Sequence, residues 1–391
     1  MDRAENEQNG PLKLLLVANY LPDRWDSMNR FADMLARGMS TRGLSVRTVR
    51  PEPIVNPSGK SAKGLGKWLG YIDKFVLFPP ALAAAAGWAD VVHICDSYNS
   101  GYVGLLKDKP VVVTCHDLLA VKEVLGESTD CQSSPLGHVL RRWQLKQLQR
   151  ADAVACDSVY TRADVERLSA SPRRFSLHHI QLPIDERFGL LSRGETMQIL
   201  QGVPQLDRAK PFVLHVGTSH PRKNRAGVLR TFALASRDWD AQLVLAGEPL
   251  SAEHVRLAES LGITHKMLVL VKPSDLVLKA LYNAAFVFLF PSTFEGYGWP
   301  LLEAQACGCP VVCSTCGPFP EVVGDSAQLR AVDDEEGMAE DILKLKDDAS
   351  RREWILRGSQ NIKRFSIDRM INEYISLYRA LCGEENRKAN D

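Results

Sequence analysis

Residues 288–312 read FLFPSTFEGYGWPLLEAQACGCPVV. Phe288, Leu289 and Phe290 end an apolar run of the kind that forms a fully buried strand, and Pro291 stops it. A loop carrying Gly296 and Gly298 leads into a helix opening at Pro300, where proline's missing N–H costs nothing. Another apolar, β-branched run starts at Pro310. Strand, loop, helix and strand in so short a compass is the repeating unit of a parallel α/β sheet.

The same alternation extends outward from it. Strands are predicted at Leu12–Ala18, Leu44–Thr48, Asp90–Cys95, Pro110–Thr114, Ala153–Asp157 and Ser176–Leu182, then at Pro211–Val216, Gln242–Ala246, Met267–Val271, Phe286–Phe290, Pro310–Ser314 and Gln328–Ala331. Helical patterns at Ser27–Ser40, Leu136–Arg150, Asn224–Ser236 and Asp275–Asn283 lie between them. The fold class is therefore α/β, with two doubly wound, Rossmann-like halves and no detectable repeat. A linker is expected near Asp185–Gly194, within the polar stretch from Pro183 to Asp207. That divides the chain into domains at 1–185 and 186–365, with 366–391 as a final amphipathic helix, about Ser366 to Leu381, and a tail, CGEENRKAND, expected to fray.

Composition narrows the function class. A chain of 391 residues suits two domains, and 45% hydrophobic with 24% charged residues excludes a disordered or fibrous protein. A net charge of +1 gives no reason to expect nucleic acid as a partner. Nine cysteines, an odd number with no signal peptide before them, fit reduced thiols rather than a disulfide framework. The N-terminus MDRAENEQNG is polar and acidic, unlike a signal or transit peptide. The longest uncharged run, Phe75–Ala89, is shorter than the roughly 20 apolar residues of a membrane span, and Pro79-Pro80 interrupts it. A cytoplasmic protein is expected. Eight basic residues lie between Arg37 and Lys74, against only Glu52 and Asp73 as acids. Lys60, Lys63, Lys67, Trp68 and Lys74 in that stretch suit peripheral contact with anionic lipid, although an exposed loop would look alike. The oligomeric state is not legible.

In open parallel sheets ligands bind at the carboxyl ends of the strands, so the loops after strands carry the chemistry. The 291–299 loop offers free amides at Tyr297, Gly298 and Trp299 for an anion or hydroxyl, with Glu295 in the loop and Glu303 one turn into the helix. The plainer reading is an exposed acid and a helix N-terminal acid favoured by the macrodipole. GTSHPRKN, residues 217–224, places Arg222 and Lys223 before Asn224, a helix N-cap; pre-placed cations there would stabilise a departing diphosphate. A basic surface turn would look similar. TCHDLL, residues 114–119, puts His116 at a strand end, with Asp117 as an orienting or capping residue. ANYLPDRWDSM, residues 18–28, offers Asn19, Arg24 and Asp26 as acceptor contacts.

Taken together these strings resemble glycosyltransferase family 4. Its motif, EGFG-x-P-x-x-E-A-x-A-x-G-x-P-V-V, has two glutamates separated by seven residues. Glu295 and Glu303 match them, Tyr297 takes the aromatic position, and Gly296, Gly298, Pro300, Ala304, Ala306, Gly308, Pro310, Val311 and Val312 match as well. PRKN after the strand ending at Gly217 is similar to the family's phosphate loop, and His116-Asp117 to its HDL motif. His93 matches a common histidine of the preceding strand and is as readily a core residue. Two departures stand out: Thr218 replaces an arginine that many members carry, and Asp26-Ser27-Met28-Asn29 fills the place of a Gly-Gly pair.

The resemblance implies a GT-B fold, two facing Rossmann-like domains with a C-terminal crossover helix. It implies retaining, metal-independent transfer from a nucleotide-diphosphate sugar to a glycan, lipid-linked or small-molecule acceptor, with no cofactor. Glu303 would bind the ribose, and Glu295 would face the donor sugar as nucleophile or, preferably, as a positioning group. Arg222 and Lys223 would stabilise the diphosphate, with Gly217, Thr218, Tyr297, Gly298 and Trp299 around the donor. His116 would face the sugar from the N-terminal domain. A sugar-nucleotide epimerase of the same fold and a non-catalytic nucleotide-sugar-binding module are the alternatives.

Three strings imitate other chemistry. Asp238-Trp239-Asp240 resembles an Asp-x-Asp metal motif but precedes a strand instead of following one. GLGKWLG, residues 64–70, has the wrong glycine spacing for a dinucleotide loop and no strand before it. Cys307, Cys309, Cys313 and Cys316 span a helix end and a buried strand, poor geometry for zinc, and read as small core residues.

Overall fold

The computed structural model describes residues 10–57, 64–127, 129, 134–169 and 173–383. Short runs rich in valine, leucine and isoleucine form twelve strands among them, because β-branched and aliphatic side chains pack well on a pleated surface. They build two parallel six-stranded sheets. The first contains β1 (Lys13–Val17), β2 (Ser45–Val49), β3 (Val91–Ile94), β4 (Val111–Cys115), β5 (Ala153–Cys156) and β6 (Ser176–His179), in the order β2-β1-β3-β4-β5-β6. The second contains β7 (Phe212–Gly217), β8 (Gln242–Gly247), β9 (Met267–Val271), β10 (Val287–Phe290), β11 (Val311–Ser314) and β12 (Gln328–Arg330), in the order β12-β11-β10-β7-β8-β9. Inner strands such as β3, β4, β5, β10 and β11 are buried along their whole length, and the edge strands are only half covered, as helices on both faces of a parallel sheet require.

The chain divides into two units. One runs to Leu182 and resumes at Ile367; the other is Pro183–Ser366. The segment Asp185–Gly194, expected as a linker, is held by the second unit. There Ile184 N donates to Phe365 O at 3.1 Å, Leu191 N donates to Asn283 Oδ1 at 2.8 Å, and Arg187 pairs with Asp185 and Asp275.

In the first unit Leu15, Val17, Val92, Ile94, Val113 and Val154 meet Phe78, Leu82, Leu148 and Val165 from covering helices. The helix Ile367–Leu381 completes this unit against the helix Asp26–Ser40. Gly38 lets it approach: a Cβ there would stand 2.6 Å from Ile371 Cδ1. Tyr378 and Thr114 occupy the two ring nitrogens of His93 at 2.6 and 2.7 Å, and the Tyr374 hydroxyl lies 2.7 Å from Thr114 Oγ1. His93 is thus a satisfied core residue; burial pushes its pKa down to about 3, so it stays neutral.

The helix at Phe75–Ala89 begins earlier than the uncharged run does. Leu65–Ala86 is a single helical run of 22 residues whose length and composition suffice for a membrane span. Reading the sequence ended the apolar run at Lys74 and at Pro79-Pro80, but Asp73 is buried in the fold, and a wider turn at Asp73–Leu77 carries the helix into the prolines. The predicted tail lies mostly outside the described residues, as do Lys60 and Lys63.

Candidate functional site

In the second sheet β7, first in sequence, lies between β8 and β10, so the direction of winding reverses at the β7–β10 gap. At such a switch point the loops leaving neighbouring strands splay apart and open a crevice. The loops after β7 and β10 are stitched together there: Thr293 N donates to Arg222 O at 2.8 Å, Arg222 Nη1 to Phe294 O at 3.3 Å, and Asn224 Nδ2 to Pro291 O at 3.1 Å. Asn224, in the left-handed region at φ 46°, also caps the helix Arg225–Ala235 by accepting from Gly227 N.

Three predicted residues meet between these two loops. Lys223 Nζ donates to Glu295 Oε1 at 2.6 Å, and Arg222 Nη1 donates to Glu295 Oε2 at 2.5 Å. Lys223 and Glu295 are both buried, and the Lys223 ammonium lies 4.7 Å from the centre of the Phe290 ring. Burial opposes charge on Glu295, but Lys223 and Arg222 outweigh it and hold the carboxyl below its usual range. Burial also lowers the Lys223 pKa, and Glu295 only partly restores it. One carboxylate against two cations leaves the cluster with a surplus positive charge.

Gly217 sits beneath the lysine, where a Cβ would come 3.2 Å from Lys223 Cδ. Beside it Gly247, at φ 139°, approaches so closely that a Cβ would fall 2.0 Å from Gly217 O. Thr218 is exposed; Ser219 turns the loop by donating its N–H and hydroxyl to Glu248 Oε2 at 2.8 and 2.6 Å.

The helix after β10 starts at Trp299, one residue before the predicted Pro300, with Gly298 at φ 122° as its cap. This helix is buried almost all round. Glu303 lies within it and accepts from Tyr282 Oη at 3.3 Å. Trp299 turns its indole N–H inward to Pro183 O at 2.9 Å, and Tyr297 is buried as well. What Trp299 can offer a ligand is its backbone.

The first sheet reverses between β1 and β3. Asn19, after β1, donates to Asp96 Oδ2 at 2.6 Å and accepts from Asn99 at 2.8 Å. His116, after β4, has Nδ1 3.0 Å from Asp157 Oδ2 and Nε2 3.0 Å from Cys95 O, with Phe31 edge-on at 4.9 Å. Burial works against its charge, but Asp157, Asp96 and the Cys95 carbonyl raise its pKa overall. Burial raises Asp157 to about 6. Both ring nitrogens are committed, so His116 is fixed in place. Asp117 accepts from Tyr98 Oη at 2.9 Å and Leu119 N at 3.0 Å, as a loop cap. Arg24, at φ 55°, and Asp26, at the start of its helix, are exposed, while Trp25 between them packs on Tyr98 at 5.1 Å. At the carboxyl end of β2 a cavity of about 320 Å³ is lined by Thr48, Arg50, Glu52, Ile54, Asp73 and Phe78.

The reading of the sequence missed Asp157, Asp96 and Tyr282, the partners of His116, Asn19 and Glu303. Each is distant in sequence from the residue it holds, and only strand order brings the pairs together. Asp238-Trp239-Asp240 precedes β8, where Asp240 pairs with Lys210 and Trp239 packs on Phe286. Cys307, Cys309, Cys313 and Cys316 are buried free thiols. Among the described residues no group of three or more His, Cys, Asp or Glu is arranged to hold a metal ion.

Residues 198–360 match the family model described as Glycosyl transferases group 1, and residues 28–185 match that described as Glycosyltransferase Family 4. A D-inositol 3-phosphate glycosyltransferase of Salinispora tropica is 30% identical over 78% of this chain and 67% of its own length. An O-antigen chain mannosyltransferase B of Escherichia coli is 35% identical over 44% of this chain; the match spans 46% of that relative, about half its length. Among solved structures, sucrose-phosphate synthase of Thermosynechococcus elongatus superposes with a TM-score of 0.75 at 21% identity, covering 95% of this chain and 99% of the other. HepE of Anabaena, in complex with UDP and glucose, gives 0.71 at 17% identity, covering 94% and 99%. The two sheets share the GT-B fold of these structures.

Proposed function

Because this chain belongs to glycosyltransferase family 4, we propose that it moves a glycosyl group from a nucleoside diphosphate sugar to a hydroxyl of a glycan, a lipid-linked oligosaccharide or a small molecule. Transfer proceeds with retention and without a metal ion. The observation that carries the reading is the Arg222–Glu295–Lys223 cluster at the switch point of the second sheet.

In this reading the diphosphate lies on Arg222, Lys223 and the amides around Gly298, and Glu303 takes the ribose hydroxyls. The bond from the anomeric carbon to the diphosphate oxygen breaks, and its electron pair leaves with the nucleoside diphosphate. The acceptor oxygen bonds to that carbon, and its proton passes to a diphosphate oxygen. Two fixed cations stabilise the charge that develops on the leaving group, the part a divalent ion plays elsewhere. A carboxylate bonded through both oxygens is a poor nucleophile, which supports a positioning role for Glu295. UDP-hexoses are the first donors to try, since HepE was solved with UDP and glucose.

The test is thermal stabilisation of the protein by UDP-, GDP- and ADP-sugars without added metal, alongside Glu303→Ala and Lys223→Ala. One nucleotide class should raise the melting temperature of the wild type and raise it less in both variants. A folded protein that responds to no nucleotide sugar would overturn the reading.

A further inference from the structure

Arg225, the first residue of the helix Arg225–Ala235, is 2% exposed. Its Nη2 donates to Gly217 O at 2.8 Å and its Nη1 to Pro249 O at 3.0 Å, while Nε is buried without an acceptor. Burial opposes the charge on this guanidinium, and Glu248 favours it through space. Among the described residues no carboxylate bonds to it; Glu248 Oε2 is taken up by Ser219. A helix N-terminus also disfavours a cation. Stability alone is a poor reason to keep a buried arginine in such a place. The backbone that it grips supplies a better one.

Arg225 fixes the peptide that leaves β7. Gly217 O points toward β8, where Glu248 N also donates to it at 3.4 Å and Gly247 stands opposite Gly217 in the strand register. A planar trans peptide sets its carbonyl and its N–H on opposite sides. The N–H of Thr218 therefore points the other way, toward β10. Since β10 pairs with β7 at Val213 and Leu214, its strand does not reach Thr218. Thr218 is exposed, and among the described residues no acceptor takes its N–H. The β10 side is also where Arg222 and Lys223 meet Glu295.

We propose that Arg225 is a positioning residue for the leaving group: by holding Gly217 O toward β8, it aims the Thr218 N–H at the diphosphate beside Arg222 and Lys223. The amide donates to a phosphate oxygen, as oriented backbone amides do in anion sites. The guanidinium behind the peptide polarises it and strengthens that bond. Its second arm, on Pro249 O, ties the loop after β8 to the same peptide. Arg225 itself touches no phosphate. The inference rests on the transferase reading, because the diphosphate is its ligand.

The test is titration of the full chain with UDP, GDP and ADP by calorimetry, and with the corresponding nucleosides by saturation-transfer NMR. Arg225→Met should weaken binding of the nucleoside diphosphate that wild type prefers by about tenfold. The affinity of its nucleoside should not change, whereas a site that had merely collapsed would lose both. Arg225→Lys, a point charge without the fork, should recover part of the loss. A second measurement needs no Arg225 variant. With threonine labelled by nitrogen-15, and Thr218→Ser to assign the signal, the Thr218 amide proton of wild type should move downfield as the nucleoside diphosphate binds. Wild-type affinity in Arg225→Met, equal loss of nucleoside and nucleoside diphosphate, or an amide signal that binding does not move would overturn the proposal and leave the transferase reading standing. A folded wild type that binds none of the three nucleoside diphosphates would overturn both.

Discussion

The Lys223 ammonium lies 2.6 Å from Glu295 Oε1, and each side chain is 9% exposed. A pair this deeply buried is costly to break from one side, because the partner left behind keeps its charge without its hydrogen bonds. Lys223→Met should therefore destabilise the protein by about 2–4 kcal/mol, with Arg222 limiting the loss. Adding Glu295→Gln should recover part of it, giving a favourable coupling of about 1–3 kcal/mol in a double-mutant cycle measured by urea unfolding. Simple additivity would mean that the pair is not coupled in solution.

Gly217 and Gly247 are neighbours with different constraints. Gly247→Ala would drive a Cβ to 2.0 Å from Gly217 O at a φ of 139°. It should cost about 3 kcal/mol or more. Gly217→Ala meets the Lys223 chain at 3.2 Å and His215 Nε2 at 3.5 Å. By pressing on the lysine it should loosen the Lys223–Glu295 pair, costing about 1 kcal/mol, less than Lys223→Met, and should weaken nucleoside diphosphate binding in calorimetry.

The Trp299 indole bonds inward to Pro183 O at 2.9 Å. Trp299→Phe should lose about 1 kcal/mol of stability and leave nucleotide affinity as it was. A large loss of affinity with unchanged stability would show that the indole reaches the ligand.

His116 and Asp157 both have raised pKa values, Asp157 at about 6. The folded pair thus binds protons that the unfolded chain has released, so its contribution is greatest in mild acid and is lost as pH rises through these values. Asp157→Asn removes the group that keeps His116 charged and leaves a buried imidazole that resists protonation. The stability advantage of wild type over Asp157→Asn should therefore grow by about 1–2 kcal/mol between pH 8 and pH 5.5 in urea unfolding. An advantage that shrinks in acid would contradict this pairing.

Strands were legible because β-branched runs bounded by glycine, proline and polar residues leave few alternatives; Met267–Val271 falls where it was expected. The Arg222, Lys223 and Glu295 loops were legible as loops after strands. What holds them was not, because strand order sets it: β10 adjoins β7 although two strands intervene in sequence. His116 and Asp157 likewise meet only because β4 pairs with β5. The helix Leu65–Ala86 was missed for a different reason. Charge on Lys74 and the Pro79-Pro80 pair ended the run on paper, whereas in the fold Lys74 pairs with Asp23 and a wider turn at Asp73–Leu77 carries the helix into the prolines.

The helix Ile367–Leu381 belongs to the first unit although the whole of Pro183–Ser366 precedes it. During translation the second unit is therefore complete in sequence before the first. The nascent first sheet must wait through the synthesis of the second unit before Tyr374 and Tyr378 reach Thr114 and His93. Until then the surface that the last helix covers is open, and a ribosome stalled late in the message would release a chain with one finished half and one unfinished half.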